Sequence, residues 1–229
     1  MTYASIRSAA EHVARTGKIT PHQLAAFTAL DETLTAAQRQ GFTDLWRAAG
    51  SPAAAAQIAN PLPTPYQSQR DNYRDAWRTC FSSSCAMLLM TLKPGVIHSD
   101  DEYIKTVFTI GDTTNSTVQV KALHHYGLDA RFKTNGNRAL VQQQIDAGKP
   151  VPAGFLHHGS ASAPSGGGHW LCIIGYDATG YIVHDPWGAM NVATGEYGST
   201  FGAKQHYDYK TFEPRWMVDG PSSGWCIIA

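Results

Sequence analysis

Net charge is the first thing this chain lacks: 18 Lys and Arg stand against 18 Asp and Glu. Such a balance offers no electrostatic case for nucleic acid or for an anionic membrane surface. Long apolar runs are missing as well, so no segment reads as a membrane span. The residues from Met1 to His12 do not pair a basic start with an apolar stretch, which predicts synthesis in a cytoplasm without a signal peptide. Cysteine is scarce, with only Cys80, Cys85, Cys172 and Cys226. In a cytoplasm these thiols stay reduced, and their spacing makes no paired Cys-x-x-Cys zinc knuckle. No internal repeat is visible. What is there is an ordinary apolar content, ample for a core in a chain of 229 residues.

Residues 1–50 read as a separate helical domain. Thr20-Pro21 supplies an N-cap and a proline at the first helical position, and Leu24, Phe27, Leu30 and Leu34 recur at helical spacing. Thr35 with Gln38 makes a capping box ahead of Phe42, Leu45 and Trp46, and Gly50 terminates the pattern. Residues 51–65 read as a linker, an alanine run followed by Pro61, Pro63 and Pro65. Residues 66–229 carry a mixed pattern. Phe81 to Leu92 is apolar nearly all round and ends at Pro94-Gly95, as a buried central helix does. Further helices are predicted over 116–126 and 139–147, then strands over 151–156, 169–176, 181–185, 214–219 and 225–228. Helices first and an antiparallel sheet after argue an α+β fold.

The chemistry concentrates in four residues. Cys80 sits where a loop enters the central helix, and unpaired N–H groups with the helix dipole favour a thiolate there. The plainer account of any cysteine is a small buried apolar residue, and that account suits Cys85, Cys172 and Cys226. His169 follows Gly166-Gly167-Gly168 and opens a strand, and Asp185 ends the next one before Pro186-Trp187-Gly188. Thiol, imidazole and carboxylate are what nucleophilic catalysis by cysteine needs. For a bare turn, Asp-Pro initiation would explain Asp185 as well. The pairs His124-His125 and His157-His158 lack a Glu or Cys at ligand spacing and read as surface or loop residues. Strand parity constrains the pairing: a two- or four-residue loop would set Asp185 on the face opposite His169. A three-residue loop with Gly180 left-handed, plus a bulge, sets them on one face. Gln69, with Gln67 as its neighbouring competitor, is the candidate amide donor to an oxyanion, beside the backbone N–H of Cys80. The loop from Ser160 to Gly168 is expected to border the cleft.

Together these residues resemble the papain superfamily, and within it the peptidases similar to the bacteriocin-leader-processing family. The likeness is carried by Tyr66–Asn72, Cys80–Met87, Gly148–Val151, His169–Tyr176 and Asp185–Gly188. Where that family often has Cys-Gly-Pro-Thr-Ser, this chain has Cys80-Phe81-Ser82-Ser83-Ser84. Asp185-Pro186-Trp187-Gly188 also looks like the Asn-Ser-Trp-Gly of papain, with Asp for Asn. The resemblance implies a papain-like fold, a central helix on an antiparallel sheet, and a Cys80–His169–Asp185 triad aided by Gln69. It implies no metal and no cofactor, and by analogy with papain it implies that Asp185→Asn keeps substantial activity. The whole chain, with its helical start and its Trp216…Trp225 ending, looks like endolysins of tailed phages. That likeness implies a monomeric peptidase cutting bacterial cell-wall peptides after release from the host cytoplasm, with no nucleic-acid partner. The alternatives are a leader-processing peptidase, a silent peptide-binding module, and an acyltransferase or amidase on the same fold.

Overall fold

The computed structural model describes residues 60–229, so the expected helical domain of residues 1–50 and the linker through residue 59 lie outside the described residues. Helix α1, Cys80–Leu92, is the central helix that the apolar pattern predicts, and Phe81, Cys85, Ala86, Met87, Leu88 and Leu89 are sealed from solvent. Each large apolar side chain buried this way stabilises the fold by about 1.5–3 kcal/mol. Two helices cover its outer side. Helix α2, Asp100–Ile110, starts at Ser99, whose hydroxyl accepts from the N–H of Glu102, and carries three acids in its first turn, where the helix dipole favours them. Helix α3, Ser116–His125, is capped by Asn115. Tyr103 and Val107 of α2 and Ala122 and Leu123 of α3 pack with Phe81, Cys85 and Leu88.

The strands are β1 (Arg131–Gly136), β2 (Val151–Phe155), β3 (His169–Tyr176), β4 (Gly180–His184), β5 (Ala189–Asn191), β6 (Glu196–Ser199), β7 (Gln205–Asp208) and β8 (Gly224–Ile228). Six form one sheet in the order β1-β8-β2-β3-β4-β7, antiparallel at every pairing, and β5–β6 is a separate ribbon. Helix α1 lies on the face presenting Cys172 and Ile174. Helices α4 (Arg138–Asp146) and α5 (Tyr209–Trp216) lie on the other, where Val141, Ile145, Phe212 and Trp216 meet Ala153, Leu171, Ile173 and Val183. The class is α+β, as the pattern predicts.

Two expectations need correction. Residues 214–219 are not a strand: α5 runs through Trp216 with Pro214 inside it. Asp208 caps the helix by accepting from the N–H of Thr211, and Tyr209, Phe212 and Trp216 recur at helical spacing, a start signal and stripe that the β-rich ending masked. The second correction concerns parity. Tyr176 pairs with Tyr181, which leaves an even number of residues between the paired positions, and Gly180 is the first residue of β4 rather than a left-handed turn residue. Parity is restored inside β3 instead. Ile174 is an extra residue between the pairs Ile173↔Val183 and Gly175↔Ile182, so Cys172 faces His184. Continued one step, that register sets Asp185 opposite Leu171, on the face of His169.

A strap holds the bulge. The side-chain amide of Asn60 donates to the carbonyl of Tyr176 and accepts from its N–H, both at 3.0 Å, and the N–H of Leu62 donates to the carbonyl of Ile174 at 2.7 Å. Only glycine fits at 175, since a Cβ there would lie 2.6 Å from Asn60 Oδ1 and 2.8 Å from the Cα of Pro61.

Candidate active site

Cys80 is the first residue of α1, and the helix end is uncapped: Thr79 makes no side-chain cap bond and the first turn carries no acid. Its first N–H groups are therefore left to whatever occupies the space in front of the thiol. That space is a cavity of about 210 Å³ whose lining includes Cys80, His169, Gly154, Trp170, Arg215 and Trp225. Gly167 and Gly168 line it too, so the loop expected to border the cleft does so. Phe81, the residue that departs from the family's usual glycine, stacks on Trp170 with ring centroids 3.5 Å apart and planes 4° from parallel. Gly154, paired with Trp170 across β2 and β3, makes room for that indole, because a Cβ would lie 2.7 Å from the ring. The stack joins the residue after Cys80 to the residue after His169.

His169 is buried, and its Nε2 lies 2.7 Å from Asp185 Oδ1. Facing a carboxylate, Nε2 carries the hydrogen, which leaves Nδ1 for the thiol. Burial works against a charge on this ring, but the Asp185 carboxylate first and Cys80 next outweigh it and hold the imidazole well above its ordinary range. An imidazolium is thereby favoured beside the sulfur. Asp185 is itself wholly buried with four donors on its carboxylate. Oδ1 accepts from His169 and from the N–H of Trp187 at 3.0 Å, while Oδ2 accepts from the hydroxyls of Tyr207 at 3.1 Å and Tyr197 at 3.3 Å.

The segment Tyr66–Asn72 is tied to Asp185–Trp187 residue by residue. The Tyr66 hydroxyl donates to the carbonyl of Asp185, the N–H of Gln69 to that of Pro186, and the Arg70 guanidinium to that of Trp187 while lying 4.2 Å over its ring. Gln69 is buried, and its side-chain amide donates to the carbonyl of Ala76 at 2.8 Å. It is absent from the cavity lining. Gln67, the competitor, instead receives the N–H of Asp100 at the start of α2.

The other cysteines are closed off. Cys85 is fully buried and burial pushes its thiol far up, and burial likewise raises Cys172 and Cys226. His157 is less peripheral than its place in a histidine pair suggests: its ring centroid lies 5.7 Å from that of His169 and its Nδ1 is sealed without a partner. Burial, with the neighbouring His169, pushes it down to about 4, so it stands neutral beside the site. Missed from the sequence were Tyr197, Tyr207 and Arg215. The tyrosines lie 12 and 22 residues beyond Asp185, where no local pattern links them to it. Among the described residues no group of three or more His, Cys, Asp or Glu side chains is placed to hold a metal ion.

The model of the Peptidase_C39 like family matches residues 61–220. Five solved chains match, among them a crystal structure described as a C39-like peptidase from Bacillus anthracis. It is 15% identical, with a TM-score of 0.49, over 73% of this chain and 95% of that one. No curated protein sequence matches the chain.

Proposed function

Since the chain belongs to the Peptidase_C39 like family, we propose that it is a cysteine endopeptidase that hydrolyses peptides of the bacterial cell wall, acting as an endolysin. The α+β fold is that of a C39-like, papain-type peptidase. The observation that carries the mechanism is the 2.7 Å contact of His169 Nε2 with Asp185, in a ring whose charge is also supported by Cys80. In this mechanism the Cys80 thiolate attacks the scissile carbonyl. The oxyanion is stabilised by the N–H groups at the uncapped end of α1 and by the second amide hydrogen of Gln69. His169 gives its proton from Nδ1 to the leaving amine, and water, deprotonated by the same nitrogen, then releases the acyl-enzyme.

Cell-wall peptides are supported by the resemblance to tailed-phage endolysins and by the cleft's charge. Arg78, whose charge is met by Asp112 at 2.7 Å, and Arg215 line it, and Arg215, fully buried, is bonded to four backbone carbonyls with no carboxylate partner among the described residues. An uncompensated cation suits the acidic peptides of murein. The enzyme on this reading acts as a monomer at the wall after leaving the cytoplasm, and no helix among the described residues is long and apolar enough to cross a membrane. The test is zymography on purified murein with mass spectrometry of the released fragments. New peptide termini within the stem or cross-bridge support the reading. Cleavage confined to double-glycine leader peptides replaces it with a processing role, and loss of no bond at all leaves a binding module. Removing residues 1–50 is expected to spare cleavage of a soluble peptide and weaken lysis of whole cells.

A further inference from the structure

The carboxylate of Asp185 is held by more than a histidine requires. Its Oδ1 already serves His169 and Trp187. Oδ2 faces away from the imidazole and accepts from two phenols that come from different elements, Tyr197 on β6 and Tyr207 on β7. The Tyr207 hydroxyl is oriented from behind, because it accepts from the N–H of Met190 at 3.0 Å and so turns its hydrogen to Asp185. Resting on the cysteine-peptidase reading, we propose that Tyr197 and Tyr207 are positioning residues that make position 185 obligatorily a carboxylate and hold it in the plane His169 needs.

The reason is a count of donors and acceptors around a buried carboxylate. Four donors converge on two oxygens that together offer four lone-pair directions, and a carboxylate satisfies all four. An amide offers one oxygen. With its oxygen towards His169 and Trp187, its nitrogen faces two hydroxyls whose hydrogens must find other acceptors in a buried site. With the oxygen towards the tyrosines, its nitrogen faces His169 Nε2 and forces the hydrogen onto Nδ1, the nitrogen that must stay free for the thiol. An asparagine of the papain type is therefore ill matched here. Burial first, and Asp185's charge next, push both phenols up, so each remains a donor throughout the working range. The other titratable groups around the carboxylate are His169 and His157, Cys80 beyond the imidazole, and Tyr66 on the backbone carbonyl.

The proposal is tested on the full chain by the pH dependence of Cys80 alkylation with iodoacetamide, followed by mass spectrometry of the Cys80 peptide. Removing a hydroxyl frees Oδ2 and lets the carboxylate turn out of the imidazole plane, so the Cys80–His169 ion pair that depends on that contact weakens and Cys80 reacts only at a higher pH. The acid limb should move up by about one pH unit in Tyr207→Phe, less in Tyr197→Phe and most in the double variant. Tyr181→Phe, which loses a buried hydroxyl bonded to Glu213 instead, should leave the limb in place. Asp185→Asn should fall to within about tenfold of Asp185→Ala, because the amide cannot satisfy the donors. Should Tyr207→Phe not fold, Tyr197→Phe carries the test, since Tyr197 is half-buried on the ribbon outside the main sheet. Limbs that move no further than in Tyr181→Phe, or Asp185→Asn retaining most of the wild-type rate, overturn the clamp while leaving the peptidase reading intact. A wild-type Cys80 no more reactive than an ordinary thiol overturns both.

Discussion

Cys80 and Cys85 lie on one helix, five positions apart, and differ in everything that matters for chemistry. Cys80 stands at an uncapped helix end, half-exposed, lining a cavity with His169. Cys85 is closed in by Tyr103 and the α2–α3 layer, and desolvation raises its thiol far above the ordinary range. The side chain is the same, and so is the helix. On the peptidase reading, reactivity is decided by access to the helix terminus and by a cation within reach, and both are lost within two turns.

The largest effect expected from breaking this contrast is at the tip. Cys80→Ala should lower kcat/KM on a cleaved peptide by about 10⁴-fold or more while leaving the melting temperature near wild type. Turnover should survive EDTA. Iodoacetamide should label Cys80 and spare Cys85, and labelling in the reverse order would exchange the two assignments. Phe81→Ala comes next. It removes one half of the Phe81–Trp170 stack and should cost about 3–5 kcal/mol in chemical denaturation. Because that stack joins the residues after Cys80 and His169, activity should fall further than the loss of folded protein explains. An undiminished specific activity would show that the stack supports only the fold.

A smaller effect separates the tip from the body by pH. Asp100 lies against the first turn of α1, accepting from the Ser83 hydroxyl at 2.5 Å, with the amide of Asn72 beside it. Burial is the main cause pushing its carboxyl up to about 6, against the hydrogen bond from Ser83. Because the folded state holds this proton more tightly than the unfolded chain, whose carboxyl sits at 3.8, Asp100 adds stability at acid pH. That contribution is complete below about pH 4 and is lost as the pH climbs through 6, a change of about 2–3 kcal/mol. Denaturation between pH 4 and 7 should show this slope, and Asp100→Asn should flatten it. The smallest effect belongs to the body of the helix. Cys85→Ala should cost about 1–2 kcal/mol through the small void it leaves and spare kcat/KM. A catalytic loss there would end the distinction between the two thiols.

Much of the fold was legible because its signals are short-ranged. The apolar run over Phe81–Leu92, the Pro94-Gly95 stop and the apolar run along 169–176 each depend on neighbours within a few residues, and α1 and β3 form where those patterns lie. Helix α2 escaped notice although Ser99 and the acids after it are a start signal, because its apolar stripe is thin. The strand expected at 214–219 failed through the same weighing of apolar residues over caps, with Asp208 three positions before Thr211 pointing to the helix.

By itself the sequence determined which side chains are the candidates for the site. A cysteine before an apolar run, a histidine after three glycines and an aspartate before Pro-Trp-Gly are local statements, and the structure brings His169 and Asp185 into contact with Cys80 acting on the same ring. How they meet was decided only by the tertiary structure. The connection of β3 to β4 has the wrong parity, and the register is rescued by an extra Ile174 held by a strap from Asn60 and Leu62, more than a hundred residues away in the chain. Two tyrosines from other strands complete the carboxylate. Bulges and buried hydrogen bonds depend on what the fold sets opposite a residue, and that neighbour is not written beside it in the chain.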